Sequence, residues 1–431
     1  MNARMNAPSG ADLVIDEPQR FRVHIDTYTD PALFRAEMKR IFERTWVFVG
    51  HESEIARPDD FKTAYIGLQP VIVTRTADGA INVLVNRCVH RGAIVTRELR
   101  GSAASFTCPY HAWTFANDGS LAAVAMRRDA GGYPDDWTPP AGLYRLPKVA
   151  TYRGLIFASF DASAPPLETH LGRAKIAIDR KFGRSPERRI ELVSAPFVGR
   201  YKGNWKFQSE NIVDGYHFLF VHEPFVRLQS QYGETTGDFG VHKGGSVEEM
   251  RKTRAAGEAI GTAQGHGLSM TPNRNYDALL DGPHRDYYAK LRAIHGADEA
   301  GWVVGSAAAS IFPNFGIIHH QLRTWRPISV DETEVTVYPF RLAGAPDAIN
   351  EGWLRSQERF YGPAGYGQSD DVEIFAVNHA GLAGDADPWL IYDRGRHAEV
   401  PLDGGDRRGN QYGETSQRAF WRRWKSMMGA A

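Results

Sequence analysis

Cysteine is scarce in this chain: its 431 residues include only two, Cys88 and Cys108. One disulfide would constrain a chain of this length weakly, and in a reducing cytosol paired cysteines are more often metal ligands than a bridge. The sequence also has no apolar run long enough to span a bilayer, and residues 1–19 lack the apolar core of a signal peptide. We therefore expect a cytoplasmic protein without a membrane partner.

An excess of charge of either sign is also missing, since 51 lysines and arginines balance 51 aspartates and glutamates. Without a long basic block the sequence offers no electrostatic surface for nucleic acid, and we expect no nucleic-acid partner. Hydrophobic residues make up 42% and charged residues 24% of the chain, as in an ordinary globular protein. The length suits two packed regions rather than one small domain.

Three regions of the chain differ in their pattern. Residues 1–44 hold a leader and a helix, in which Asp30 is the side-chain cap and Pro31 takes the first helical position. Residues 45–162 contain short β-type runs with an Asn-Asp-Gly-Ser turn between two of them. Residues 163–431 mix helical and strand patterns. We expect an α+β protein, with a small all-β domain followed by a larger domain of antiparallel sheet and helices.

The larger region contains elements of both kinds. Helical patterns cover 203–220, 370–379 and 414–428, and strand-like runs cover 316–325 and 334–342. Ser369 is the expected cap of the second helix. The third helix is expected to pack an apolar face made of Phe420, Trp421, Trp424 and Met427. Residues 225–310 carry many glycines and no steady period, which predicts loops and short helices that cover a pocket.

Both cysteines lie in short motifs with a histidine. Cys88 is two residues before His90, and Cys108 is three residues before His111. Two thiolates and two imidazoles in this order suit a [2Fe–2S] cluster, with the cysteines on one iron and the histidines on the other. A zinc site of mixed ligands or unrelated core cysteines are the alternatives. The turn residues around both motifs place them at the tips of β-loops and favour a metal site.

A second group of metal-ligand residues lies in the larger region. Asp214 and His217 are three residues apart, and His222 follows five residues after His217. Five residues of a regular helix turn about 140° past full circles, so His217 and His222 can share a metal only if the helix ends or bulges between them. A carboxylate from Asp370 or Asp371 would complete the facial triad of non-haem Fe(II).

Each residue of this second group also has an ordinary explanation. Acids at 370–371 would complement the dipole of the predicted helix that starts there. The two histidines could form a buried hydrogen-bonded pair, and Asp214 could be a surface acid. The coincidence of two groups favours metal binding, because a redox cluster needs an electron acceptor and one chain here supplies both.

Several stretches resemble a known family. CVHRGA and CPYHAWTF resemble the two cluster loops of Rieske ferredoxin domains, and ENIVDGYH followed by His222 resembles the iron helix of ring-hydroxylating oxygenases. The chain is similar over nearly its whole length to the α subunit of Rieske non-haem iron ring-hydroxylating oxygenases. The benzoate- and anthranilate-type aromatic-acid dioxygenases resemble it most, on stretches such as SENIVDGYH and WRPISVDETEVTVY. The similarity fades over 225–310.

The resemblance implies a Rieske [2Fe–2S] domain over 45–162 and a helix-grip-like catalytic domain with a mononuclear Fe(II) over 163–431. Its implied iron ligands are His217, His222 and Asp371, the second acid of the aspartate pair.

The resemblance also implies catalytic roles for Asp214 and Asn211. Asp214 would hydrogen-bond His217 on one side and His111 of a neighbouring subunit on the other, which fixes the tautomer of a ligand imidazole. Such a bridge between subunits requires a closed ring, most simply a trimer. We expect α3 or, with a small β subunit, α3β3.

The substrate-binding residues are predicted from chemistry. A buried aromatic acid needs a cation, and arginine binds carboxylates in a bidentate manner. Strand alternation places His319, Gln321, Arg323 and Trp325 on one face. Arg323 is the candidate carboxylate clamp, with His319 as a second substrate-binding candidate. The alternative is that Arg323 pairs with a structural acid such as Glu334.

The predicted enzyme is the oxygenase component of a multicomponent aromatic-ring dioxygenase. It would use O2 and electrons from NAD(P)H, delivered by a reductase with or without a ferredoxin, to cis-dihydroxylate an aromatic acid. The alternative on the same scaffold is hydroxylation by one oxygen atom, or O- or N-dealkylation, of a substrate such as salicylate, an aromatic amine or a methoxy acid. A Rieske electron carrier with an inactive C-terminal domain and a zinc-binding interaction protein are the other two classes. The presence of all three candidate iron ligands argues against the electron carrier.

Overall fold

Residues 10–193, 196–232 and 247–429 are described by the computed structural model. The chain divides into two compact units, one made of Phe42–Leu167 and the other of Met1–Ile41 with Glu168–Ala431. Within the described residues, no helix is both long enough and apolar enough to cross a membrane.

The smaller unit consists of short antiparallel strands in one four-stranded and two three-stranded sheets. The strands are Val47–His51, Asp60–Ile66, Gln69–Arg75, Ile81–Val85, Arg100–Ser102, Ser105–Thr107, Thr114–Ala116, Leu121–Ala123, Lys148–Tyr152 and Leu155–Ser159. The core buries Cys88 and Cys108 among apolar side chains that include Phe61, Ile72, Leu84, Phe106, Trp113 and Phe115. The predicted small antiparallel β domain is confirmed, and both cysteines belong to its packed core.

The larger unit is organised around a ten-stranded antiparallel sheet. In spatial order its strands are Ile190–Leu192, Glu332–Leu342, Gln321–Ser329, Phe315–Ile318, Ser306–Ile311, Gly267–Thr271, Glu258–Gly261, Arg407–Asn410 and Val400–Pro401, with Phe197–Lys202 also paired to Glu332–Leu342. A separate three-stranded sheet joins Val14–Glu17, Arg20–His24 and Trp389–Ile391.

The longer helices belong to this larger unit. They are Pro31–Glu37, Lys175–Gly183, Glu223–Tyr232, Val247–Ala255, Arg285–His295, Ala297–Val304, Asp347–Tyr361, Tyr366–Gly381 and Thr415–Gly429. Shorter helical segments of the chain are Gly10–Leu13, Asp26–Thr29, Met38–Phe42, Glu52–Ile55, Leu167–Leu171, Gly172–Ala174, Lys206–Asn211, Phe218–Val221, Tyr276–Leu280, Arg396–Ala398 and Asp403–Gly405.

Two predicted helices are confirmed at their ends. The Asp30 side chain accepts hydrogen bonds from the backbone N–H groups of Ala32 and Leu33, as an N-cap does. The C-terminal helix covers Thr415–Gly429 and buries the predicted aromatic residues. Its buried methionine is Met428 rather than the predicted Met427.

Two other helix predictions are wrong in their bounds. The predicted helix over 203–220 is two short helices, Lys206–Asn211 and Phe218–Val221, with a break between them. The helix predicted to start after a Ser369 cap begins at Tyr366. The Ser369 hydroxyl lies inside this helix and donates to the carbonyl oxygen of Gly365, four residues back.

Two strand predictions also need correction. The run over 316–325 is not one strand, because His319 and His320 form a turn between Phe315–Ile318 and Gln321–Ser329. The described part of 225–310 contains two whole strands of the main sheet, Glu258–Gly261 and Gly267–Thr271, and most of a third, Ser306–Ile311, in addition to helices. Residues 233–246 of this segment lie outside the described residues.

Buried polar clusters hold the helix Lys206–Asn211 in place. The ammonium group of Lys206 donates to Oε1 of Glu37 at 2.6 Å, and both side chains are fully buried. Trp205 and Trp424 also donate indole N–H groups to the Glu37 carboxylate, at 2.9 and 2.7 Å. A buried ion pair of this kind is sustained by such additional hydrogen bonds.

A second cluster surrounds Glu210 on the same helix. Tyr28, Tyr392 and Trp421 donate to the Glu210 carboxylate at 2.9, 2.8 and 2.6 Å. Burial raises the pKa of Glu210 to about 7 despite these donors. The hydrogen bonds of Lys206 and Glu210 therefore hold the helix Lys206–Asn211 at two points.

Candidate metal centres and substrate pocket

The two cysteine loops share one backbone pattern. The N–H of Cys88 donates to the carbonyl of Ala93, and the N–H of Gly92 donates to the carbonyl of Cys88, at 2.8 and 2.9 Å. In the second loop, the N–H of Cys108 donates to the carbonyl of Trp113 at 2.8 Å, and that of Ala112 to the carbonyl of Cys108 at 3.0 Å.

Gly92 and Ala112, each four residues after the cysteine of its loop, have positive φ angles of 78° and 53°. The left-handed backbone folds each loop over its own cysteine. The two loops therefore form a matched pair, each offering one thiol and one imidazole.

The side chains of these loops converge. Cys88 and Cys108 are each 3% exposed. The ring centres of His90 and His111 lie 4.7 Å apart, and the His90 ring stacks on Trp113 with its centre at 4.9 Å. The Nδ1 atom of His90 is buried and has no hydrogen-bond partner among the described residues. A buried nitrogen without a partner is costly unless it binds a ligand, so this donor set fits a Rieske [2Fe–2S] cluster.

A break in the chain brings the candidate iron ligands together. After Lys206–Asn211 ends, Oδ1 of Asp214 accepts hydrogen bonds from the backbone N–H groups of Tyr216 and His217, at 2.7 and 3.3 Å. The following helix, Phe218–Val221, ends at His222. The ring centres of His217 and His222 lie 5.4 Å apart, so the condition for sharing a metal is met.

Asp371 completes a compact three-residue group. Its Oδ1 atom lies 3.5 Å from Nε2 of His217 and 3.1 Å from Nε2 of His222. One potential ligand atom from each of the three residues lies within 4.8 Å of the others. The two imidazoles and the carboxylate present the donor set of the facial triad.

The neighbouring acid, Asp370, lies differently. Its side chain is 40% exposed, against 6% for Asp371, and its Oδ2 is 3.4 Å from Nδ1 of His222. It therefore contacts the opposite ring nitrogen of His222. Both acids lie beyond the first turn of the helix Tyr366–Gly381, which removes the helix-dipole explanation for Asp371.

The electrostatics of this group favour a cation. Burial alone would raise the pKa of Asp371, yet His217 and His222 hold it well below its usual range. Burial alone would lower the pKa of His217, but the carboxylates of Asp214 and Asp371 raise it to about 10. A buried site made of two imidazoles and a carboxylate, with a second carboxylate beside one imidazole, has a donor set that fits Fe(II).

Asn211 and Asp214 support the ligands. The Asn211 amide nitrogen lies 3.2 Å from Nε2 of His217 and donates to Oδ1 of Asp371 at 3.1 Å. Oδ2 of Asp214 lies 3.6 Å from Nδ1 of His217. This contact is longer than a hydrogen bond, and Nδ1 of His217 has no hydrogen-bond partner among the described residues. The Asp214 carboxylate therefore acts on His217 through its charge.

A cavity of about 690 Å³ adjoins the triad. Its lining includes His217, His222 and Asp371 together with both predicted substrate-binding residues, Arg323 and His319. The segment predicted to cover a pocket also contributes to the lining, through Met250, Thr253, Arg254, Ser269 and Thr271. The cavity is within the usual size range for a small-molecule site.

Arg323 is 1% exposed and makes contacts suited to a substrate clamp. Its guanidinium donates to the side-chain oxygens of Gln208 and Gln368, at 3.3 and 3.1 Å, and lies 4.9 Å from the centre of the Tyr361 ring. Its Nε is buried without a hydrogen-bond partner among the described residues. The suggested structural partner, Glu334, instead contacts two other arginines, Arg200 and Arg326.

The two histidines of the turn lie in different surroundings. His319 adopts a left-handed backbone, with φ of 51°, and its ring centre lies 5.3 Å from that of Tyr361. It reaches the cavity through this turn, so the strand alternation used to place it was the wrong reason. His320 is buried away from the lining, stacks on Trp353 and lies 3.1 Å from Nη1 of Arg184.

Several site residues had not been singled out from the sequence. Gln208 and Gln368 hold Arg323, and both lie next to motifs that were already of interest. The sequence feature that could have identified them is an amide side chain close in sequence to the predicted iron ligands. Arg254 and Tyr361 line the cavity but have no local motif. Arg254 lies where the resemblance fades, which is why it was missed.

Comparison with known proteins gives a family. The model of the Rieske [2Fe-2S] domain matches residues 45–134, and that of the ring hydroxylating alpha subunit (catalytic domain) matches residues 173–430. The large subunit of 2-halobenzoate 1,2-dioxygenase from Burkholderia cepacia is 36% identical over 385 residues, covering 87% of this chain and 80% of its own. Toluate 1,2-dioxygenase subunit alpha from Pseudomonas putida is 34% identical, covering 92% of this chain and 86% of its own.

A relative with a different reaction and a solved structure are also similar. The N,N-dimethyl phenylurea N-demethylase subunit alpha of a Sphingobium species is 32% identical, with 92% of this chain and 89% of that protein covered. Naphthalene 1,2-dioxygenase with indole in its active site has a TM-score of 0.83 and 27% identity, and the match covers 97% of this chain and 94% of that one.

These matches confirm the predicted fold class, oxidoreductase class and cofactors, a [2Fe–2S] cluster and a mononuclear iron. Homologues of this kind work with O2, an aromatic substrate and electron-transfer partners. The chain belongs to the Rieske ring-hydroxylating oxygenase α subunits.

Proposed function

We propose that this α subunit cis-dihydroxylates an aromatic acid of the benzoate type. The observation that carries the proposal is Arg323, a buried cation in the cavity of the candidate iron ligands, with no acid paired to it among the described residues. Two of the relatives act, by their names, on a halobenzoate and a toluate. An aromatic carboxylate has the charge and shape that such an arginine binds.

The residues divide into two sets of metal ligands. Cys88 and Cys108 would hold one iron of the cluster, and His90 and His111 the other. His217, His222 and Asp371 would hold the mononuclear iron. When bound, the cluster supplies electrons one at a time and the mononuclear iron activates O2.

The rest of the site positions the groups that react. Gln208 and Gln368 accept hydrogen bonds from Arg323 and fix the direction of its guanidinium. A carboxylate bound there orients its ring within the cavity, and proximity of this kind lowers the barrier to attack on one ring face. His319 lies beside Tyr361 at the same cavity and would contact the acid or the ring.

Asp214 faces Nδ1 of His217 and would favour its proton there, which leaves Nε2 free for the iron, while Asn211 would orient the Asp371 carboxylate. Asp214 would also reach His111 of a neighbouring subunit, which provides a path for electrons in a closed α3 or α3β3 ring with a small β subunit. Electrons would come from NAD(P)H through a reductase, with or without a ferredoxin, in the cytoplasm.

The second candidate function is N-dealkylation or another reaction that inserts one oxygen atom. The similarity to a phenylurea N-demethylase favours it, because that match covers 92% of this chain, as much as the toluate match and more than the halobenzoate match. A phenylurea carries no carboxylate, however, and the buried Arg323 would then lack an anion. Because Arg323 has no acid paired to it among the described residues, an aromatic acid is favoured as the substrate.

Product analysis with labelled O2 tests the proposal. Protein reconstituted with a reductase should convert benzoate or a halobenzoate to a cis-diol that carries two ¹⁸O atoms from one ¹⁸O2. N-methylanilines and methoxybenzenes of similar size serve as matched neutral substrates. Dealkylated products with no diol from any acid would refute the proposed function and support the alternative.

A further inference from the structure

A second arginine lines the same cavity as the candidate iron ligands. Arg254, near the end of the helix Val247–Ala255, places its guanidinium carbon 4.1 Å from the centre of the Phe218 ring. Both side chains belong to the lining, as does Arg323. Two guanidinium groups from distant parts of the chain therefore border one substrate space.

The acids of the cavity are already engaged. Among the described lining residues only Asp214 and Asp371 are acidic, and both approach His217, at 3.6 and 3.5 Å. Neither forms an ion pair with Arg254 or Arg323 in the described part of the chain. Asp214 does act on the charge of Arg254, and Asp371 on that of Arg323, but at longer range than an ion pair.

The other cations of the lining differ from this pair. Lys252 is 74% exposed and lies 3.9 Å from Glu248, and Arg274 is exposed. Their charges are screened by water, and exposed charges of this kind contribute little to binding. Arg323 is 1% exposed, and Arg254 is partly exposed but more shielded than Lys252 and Arg274.

Tyr361 also lines the cavity, beside Arg323. The Arg323 guanidinium lies over its ring. Burial lowers the pKa of both arginines. The opposing groups are Tyr412, Tyr361 and Asp214 at Arg254, and Tyr361, Asp371 and Tyr201 at Arg323. Both arginines line one cavity of about 690 Å³, the size of a small-molecule site.

We propose that the substrate is an aromatic ring with two anionic groups, an aromatic dicarboxylate, one carboxylate bound by Arg323 and the other by Arg254. This inference rests on the proposed function and extends it from one anionic group to two.

The charge of the cavity supports a dianion. With a ferrous ion bound, its two positive charges balance the carboxylates of Asp214 and Asp371. Arg254 and Arg323 then leave two positive charges. A monocarboxylate bound by Arg323 leaves the positive charge of Arg254 unpaired in the cavity, whereas a dicarboxylate neutralises both charges, which favours the dianion.

Calorimetric binding to the holoprotein tests this inference. The protein, loaded with cluster and iron, is kept anaerobic so that bound ligands do not react. The probes are benzoate and the three benzenedicarboxylates, phthalate, isophthalate and terephthalate. At least one dicarboxylate should bind at least about tenfold more tightly than benzoate.

Variants of one helix assign the effect to Arg254. Arg254→Leu should remove the preference for the dicarboxylate and leave benzoate binding little changed, while Arg254→Lys should retain part of the preference. Arg251→Leu is the matched control, since Arg251 is 67% exposed on the same helix and lies outside the cavity lining. It should keep the preference.

The results separate this inference from the proposed function. Benzoate binding as tight as that of every dicarboxylate would overturn the second anionic group, and so would equal losses for both ligand classes in Arg254→Leu. Because the first comparison uses the unmodified protein, it holds even if a variant fails to fold. Arg323-dependent oxygenation of benzoate would still support the proposed function in that case.

Discussion

Replacing Arg323 with leucine removes the proposed carboxylate clamp. The side chain is 1% exposed, so a carboxylate bound against it would be largely shielded from water. Loss of one partner from a buried charge pair costs about 2–5 kcal/mol, much of it because the remaining charge is left unpaired. Each 1.4 kcal/mol is about tenfold in Kd. Binding of benzoate should therefore weaken by a factor of roughly 30 to several thousand.

A neutral analogue supplies the internal control for this prediction. Benzamide has nearly the shape of benzoate without its charge, and Arg323→Leu should weaken its binding much less. Arg323→Lys keeps the charge but loses the planar guanidinium. Its benzoate binding should therefore be weaker than that of the unmodified protein and tighter than that of Arg323→Leu. The assay is the KM for oxygenation, with Kd measured anaerobically, and with iron content and Tm as checks on folding. Equal losses for benzoate and benzamide would show that Arg323 is structural, through its contacts with Gln208 and Gln368.

Three further predictions concern the metal centres and the buried acid. Cys88→Ser should abolish the visible spectrum of the cluster, whereas His217→Ala should leave it intact; bleaching in both would refute two separate centres. Asp371→Ala should lose mononuclear iron, measured by metal analysis, and Asp370→Ala should keep most of it, because only Asp371 faces both histidine Nε2 atoms; the reverse result would exchange their roles. For Glu210, burial raises the pKa from 4.5 to about 7, so the folded state binds more protons than the unfolded state in this window and stability falls as pH rises through it. Glu210→Gln removes this loss, so its Tm relative to the unmodified protein should increase from about pH 5 to pH 7 and then level off; a difference independent of pH would refute the shift.

The cluster loops could be predicted because their chemistry is local. Cys88 with His90 and Cys108 with His111 are each contained in one loop, and few other sites use this donor set. Helical geometry also set the condition under which His217 and His222 could bind one metal: the helix had to end or bulge between them. The sequence could not show how that condition would be met, because the break depends on side-chain hydrogen bonding.

The break after Asn211 has a physical cause that a helical pattern does not reveal. The Asp214 carboxylate binds the N–H groups of Tyr216 and His217 and so competes with the helical hydrogen bonds. Gly215 packs closely, since a Cβ there would lie 2.6 Å from the carbonyl oxygen of Gln411. The Asp-Gly pair was a turn signal inside an apparently helical stretch.

The strands hidden in 225–310 were missed for a related reason. Their glycines suggested loops, but Gly261 and Gly267 let the C-terminal helix approach the sheet. A Cβ at these positions would lie 2.5 Å from the carbonyl oxygen of Thr415 and 2.7 Å from Cβ of Ser416. Glycine is required at these positions by a tertiary contact with the C-terminal helix, and intrinsic strand propensity takes no account of such contacts. Arg254 belongs to no sequence motif, and only the structure shows that it lines the cavity.

A single-turnover experiment on Asp214→Asn tests most directly the central claim that the two metal centres act together on an aromatic acid. Asparagine keeps an oxygen for the backbone N–H groups of Tyr216 and His217, and it replaces the charged Oδ2 that faces His217 with an uncharged amide group that can only donate. The unmodified protein, reduced and mixed with benzoate and O2, should oxidise its cluster and release a diol. Asp214→Asn should contain both cluster and iron, yet its cluster should stay reduced and little product should form. A variant that discharges its cluster and forms the diol at the unmodified rate would contradict the account.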